Sequence, residues 1–129
     1  IEWAQVYEFA CSLEHATAPG VTEALAEFLG HPATCPRGNP IPAEDGSFVP
    51  LNGIMLAEAE VGATVRVLAV NATATGVLKY LQERNILPGR EIEILEAAPV
   101  QGPLTLRVDD KEVALGLSLA EFVIVKPKK

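Results

Sequence analysis

With 129 residues, 49% of them apolar, the chain can bury one core or two small ones joined by a linker, and no apolar run approaches the length a bilayer requires. A formal charge of -7 argues against a phosphate-binding surface of its own, because nonspecific affinity for nucleic acid rests on Lys and Arg. Two cysteines, no signal-peptide pattern and no disulfide-rich spacing point to a reducing compartment, the cytoplasm, and to no membrane partner.

The chain enters helical pattern at once, IEWAQVYEFACSLEHA, with no N-cap residue ahead of it, as expected of a fragment whose upstream part has been removed. Residues 2–16 place Trp3, Val6, Ala10 and Leu13 on an apolar stripe, and Cys11, Glu14 and His15 on a separate polar face. After a break at Pro19-Gly20, VTEALAEFLG repeats the pattern with Val21, Leu25, Phe28 and Leu29 and ends in Gly30, a good C′ residue. Two short amphipathic helices cannot bury their stripes alone, which implies self-association or a neighbouring domain, with Trp3 and Leu13 at the contact.

From His31 to Gly53 the composition changes: HPATCPRGNPIPAEDGSFVPLNG is proline-rich and lacks both helical and strand periodicity, so it reads as a linker, partly polyproline II in character. Beyond it TVRVLAV, EIEIL, LTLRV, EVAL and FVIV read as strands, with a tight turn at Asp109-Asp110-Lys111. A helix is expected over roughly Thr73 to Asn85, stopped by Pro88-Gly89. Ser118 followed by Glu121 is a capping-box pattern for one further turn. The expected organisation is α+β: residues 1–35 a helical dimerisation and metal-ligand segment, 36–54 a proline-rich linker, and 55–129 a small SH3-like barrel of five strands with one inserted helix.

The chemistry-bearing stretch is CSLEHA. On a helix Cys11, Glu14 and His15 stand at i, i+3 and i+4, so a thiolate, a carboxylate and an imidazole leave one face within a turn. Soft, hard and borderline donors together suit Fe(II), Co(II), Ni(II) or Zn(II) better than Ca or Mg, and a complete site needs at least one further ligand. The alternative is a solvated helix face with a half-buried cysteine. A competing metal reading adds His31 and Cys35, whose H-x-x-x-C spacing mirrors Cys11-x-x-x-His15 and would make a Cys2His2 zinc site.

The order of features, a helix with C-x-x-E-H, a second helix ending LGHP, then CPRGNPIP, then a small barrel with ILPG, resembles the C-terminal part of the diphtheria toxin repressor family of metal-dependent transcriptional regulators. The barrel alone is also similar to ferrous iron transport protein A. The resemblance implies a helical dimerisation domain, an SH3-like domain, and Cys11, Glu14 and His15 as the regulatory metal ligands. It implies Fe(II), or another divalent ion such as Co, Ni, Mn or Zn, with cysteine at position 11 favouring iron because thiolate is a poor partner for hard Mn(II). It further implies a homodimer whose contact with operator DNA, and a further metal ligand, come from an N-terminal winged-helix domain absent from this chain. The ancillary metal site of iron-type members departs here: its histidine is Tyr7, and the positions of its carboxylate and amide fall on Ala74 and Val77.

Three functions follow. The first is the dimerisation and metal-sensing fragment of an iron-dependent repressor. The second is a stand-alone SH3-like module related to the iron-transport accessory proteins, with the two helices as an oligomerisation hairpin; under either reading Pro36, Pro40, Pro42 and Pro50 supply an intramolecular proline-rich candidate ligand for the barrel. An enzyme is the third and is not expected: there is no nucleophile elbow or phosphate loop, and a Cys-His-Glu relay cannot operate from a single helical turn.

Overall fold

The computed structural model describes residues 1–41 and 51–127. Pro42 and Pro50, with the rest of residues 42–50 of the expected linker, lie outside the described residues. Two helices, α1 (Trp3–Ala16) and α2 (Pro19–Phe28), precede β1 (Ile54–Met55), a 3-10 turn (Leu56–Glu58), β2 (Thr64–Val70), α3 (Thr75–Glu83), β3 (Glu91–Ala97), β4 (Leu104–Val108), β5 (Lys111–Leu115), α4 (Leu117–Ala120) and β6 (Val123–Pro127).

The six strands form one antiparallel sheet in the order β1-β6-β2-β3-β4-β5. Register shifts between Val67 and Ala69, and between Ile94 and Glu96, insert an extra residue into β2 and β3. Such bulges bend a strand and raise its twist, which is how so short a sheet curls round a core. Alternation places Val65, Val67, Ile92, Ile94, Leu104, Leu106 and Val108 inside, where they meet Leu78 and Leu81 of α3 and Leu56 and Ile86 beside it. The turn between β4 and β5 is a two-residue loop, Asp109 and Asp110, both at positive φ (51° and 65°), the type I′ geometry that matches strand twist.

The helix ends follow local chemistry. Pro19, expected to interrupt the helical pattern, instead opens α2, since its fixed φ and missing N–H suit a first turn. Gly30 (φ 77°) closes it: Gly30 N–H reaches Glu27 O at 3.1 Å and His31 N–H reaches Ala26 O at 2.7 Å, the paired bonds of a Schellman motif. Asn85 (φ 57°) ends α3 the same way, with Ile86 N–H on Leu81 O at 3.0 Å, so the helix stops before Pro88 is reached.

Three expectations are corrected. A sixth strand, β1, pairs with β6 through only Ile54 and Met55, too short for strand periodicity to register. The turn before β6 is capped by Gly116, with no side-chain cap bond, so Ser118 lies within α4. On α1 the stripe is rotated: Leu13 is 62% exposed, while Trp3, Ala4 and Tyr7 pack on the barrel core. Trp3 is thereby half-buried against its own barrel.

Candidate metal centre

The first turn of α1 explains how a helix without a preceding cap is held. Glu2 occupies the cap position without a side-chain bond, but the N–H of Ala4 donates to Gln82 Oε1 of α3 at 3.0 Å. An orphan donor of the helix start is thus satisfied from 78 residues away, and Ala4 is 1% exposed at the contact. Thr75 Oγ1 adds a bond to Glu8 Oε2 at 3.2 Å.

On this helix the three candidate ligands come out in line. Cys11 is half-buried, whereas the Glu14 and His15 side chains are 79% and 81% exposed. Glu14 Oε2 lies 3.6 Å from His15 Nδ1. His15 Nδ1 also lies 2.7 Å from the carbonyl oxygen of Cys11 one turn earlier. A carbonyl can only accept, so Nδ1 is the donor in this bond, and in the neutral ring that assignment leaves the lone pair on Nε2. That tautomer, with the other ring nitrogen held by a carbonyl, is the one metal-ligating histidines adopt. The donor set therefore fits a borderline divalent ion in its chemistry. Among the described residues, however, no three His, Cys, Asp or Glu side chains converge closely enough to hold an ion.

The rival set is not assembled. His31 sits at positive φ (53°) at the end of α2, and Cys35 opens a small hairpin closed by Cys35 N–H on Asn39 O at 2.9 Å and Gly38 N–H on Cys35 O at 2.8 Å. Both cysteines are free thiols.

Two residues that sequence reasoning did not assign to the site adjoin it. Tyr7, one turn before Cys11, shares a side-chain hydrogen bond with it; that bond, then the cysteine's charge, hold the phenol above its ordinary pKa, against a pull downward from Arg37. The Arg37 guanidinium lies 4.5 Å over the Tyr7 ring. The i, i+4 spacing of Tyr7 and Cys11 was a signal in the sequence; the approach of Arg37 was not. Ala74 precedes α3 and Val77 lies on it, and neither side chain carries a metal-ligating atom.

Residues 54–127 match the family model "FeoA domain", and residues 1–43 match "Iron dependent repressor, metal binding and dimerisation domain". No curated protein matches the chain. Among solved structures the fold is similar to ScaR with bound Zn2+ (26% identity over 98% of this chain and 62% of that one, TM-score 0.85). It is also similar to a manganese-dependent transcriptional repressor in complex with manganese (24%, 99% and 61%, TM-score 0.89) and to T. acidophilum IdeR (24%, 99% and 58%, TM-score 0.87). The chain spans about three-fifths of the length of these relatives. With a FeoA domain over more than half of its length and a repressor-type metal-binding and dimerisation domain ahead of it, the chain belongs to the diphtheria toxin repressor family, corresponding to the C-terminal part of such a regulator.

Proposed function

We propose that this chain is the dimerisation and metal-sensing part of an iron-responsive transcriptional repressor, in which Cys11, Glu14 and His15 are one half of a metal site shared with a DNA-binding domain. The observation that carries this reading is the His15 ring, whose Nδ1–H is held by the Cys11 carbonyl at 2.7 Å so that Nε2 is available to an ion. Three donors from one turn leave coordination positions open, which a ligand from a second domain would fill. An ion held this way would supply a bridge between the two domains. Its effect on DNA is a population shift, set by the difference in metal affinity between bridged and unbridged arrangements. With a net charge of -7 this chain contributes regulation, and operator contact falls to the other domain.

The thiolate at position 11 supports iron over manganese. Equilibrium dialysis under anaerobic conditions is expected to show Fe(II) preferred to Mn(II), and Cys11→Asp should move that ratio toward manganese by about tenfold or more. An unchanged ratio would remove Cys11 from the ligand set.

A homodimer forms, on this reading, through α2. None of its residues is buried, and Val21, Leu25, Phe28 and Leu29 are 43 to 85% exposed. Phe28, the most exposed at 85%, is the natural point to break it. Phe28→Asp is expected to shift the protein to monomer in analytical ultracentrifugation; an unchanged dimer would place the interface elsewhere.

The second reading, a stand-alone module of the iron-transport accessory kind, is favoured by the FeoA match over residues 54–127. It predicts no metal dependence of either Cys11→Asp or His15→Ala.

A further inference from the structure

The hairpin CPRGN is bonded to the barrel on one side and to α1 on the other. Toward the barrel, Val70 N–H donates to Arg37 O at 2.8 Å, Asn39 Nδ2 to Val70 O at 3.3 Å, and Arg37 Nη1 to Ala72 O at 3.0 Å. Gly38 is pressed so close to β2 that a Cβ there would overlap the Leu68 carbonyl oxygen. Toward the helix, Trp3 Nε1 donates to Pro36 O at 2.7 Å, and the Arg37 guanidinium covers the Tyr7 ring at 4.5 Å. Arg37 is the residue common to both sides. Its backbone carbonyl and one arm of its guanidinium are fixed by β2 and the segment after it, and the plane of the same group rests on α1.

We infer that Arg37 is a latch built from protein groups alone, which fastens the ligand-bearing first helix to the barrel so that the two open as one cooperative unit while α2 opens separately. A 14-residue helix is marginal by itself, so α1 owes its persistence to this docking and to the Gln82 cap. Helix α2 contributes no buried residue and has no such tie among the described residues, and it serves as the internal control. In consequence, any displacement of the face carrying Cys11 moves the barrel with it. A guanidinium is suited to this work because it donates in its plane while stacking on an aromatic face, which a lysine cannot do together.

Native-state hydrogen exchange on the full chain tests the latch. In the parent protein, amides of residues 7–11 should exchange with the slow amides of Ile92 and Ile94, and those of residues 22–27 much faster. Arg37→Ala should speed exchange at 7–11 by about tenfold and leave Ile92 and Ile94 unchanged. Tyr7→Leu, which keeps the helix but removes the ring, should give the same selective increase and serves if Arg37→Ala fails to fold. The inference is overturned if α1 exchanges as fast as α2 in the parent, if neither variant changes residues 7–11, or if α1 and barrel amides accelerate together.

Discussion

Gly38→Ala is expected to destabilise the protein by about 3 kcal/mol, with the denaturant midpoint lowered and the slope of the transition unchanged. Two causes add. Gly38 has φ of +87°, where an L side chain is disfavoured by about 1–2 kcal/mol. Its Cβ would also meet main-chain atoms, the Leu68 carbonyl oxygen and Ala69 Cα at 2.9 Å, which cannot rotate away as a side-chain tip can. Gly76 supplies the opposite case within the same chain. It lies inside α3, and a methyl added there would meet nothing within 4 Å, so Gly76→Ala should stabilise by about 0.5–1 kcal/mol through helix propensity. If Gly38→Ala left the midpoint unchanged or raised it, the docking of the CPRGN hairpin on β2 would be wrong.

His15→Ala is expected to weaken divalent-metal affinity by at least about 100-fold while leaving stability within about 0.5 kcal/mol of the parent. The separation of the two readouts follows from geometry. The imidazole is 81% exposed, and among the described residues its polar contacts are the Cys11 carbonyl and Glu14 of its own helix, so the fold loses little when it is removed. On the proposed ligand set, metal affinity would lose one of three donors, the one whose Nδ1 is held by the Cys11 carbonyl. Glu14→Ala should act in the same direction by less, because a carboxylate 79% exposed is not held in place by any such bond.

How much of this was legible in the sequence depends on how local each cause is. The runs TVRVLAV and LTLRV alternate over their full length, and β2 and β4 fall on the expected residues 64–70 and 104–108. The Asp109-Asp110 turn and Gly30 were equally readable, since each rests on the φ preference of one or two residues. The helix over 73–85 shortened to Thr75–Glu83, because Asn85 could take the left-handed cap that the pattern assigned to Pro88-Gly89. What could not be read were bonds across long separations: Trp3 to Pro36 over 33 residues, Ala4 to Gln82 over 78. These turn the helix so that Tyr7, in place of the Val6–Ala10–Leu13 stripe, meets the barrel, and they bring Arg37 beside Tyr7. Within the candidate site, helical spacing placed Cys11, Glu14 and His15 on one side of α1, but spacing carries no information about the Cys11 carbonyl as a partner for the imidazole.

The most direct test of the central claim, that Cys11 acts with Glu14 and His15 as a metal ligand, is the anaerobic Co(II) absorption spectrum of the parent protein beside Cys11→Ser and Cys35→Ser. The account predicts a saturable sulfur-to-cobalt charge-transfer band in the parent that Cys35→Ser retains and Cys11→Ser loses. A band that survives Cys11→Ser and disappears with Cys35→Ser would contradict it and move the site to the hairpin.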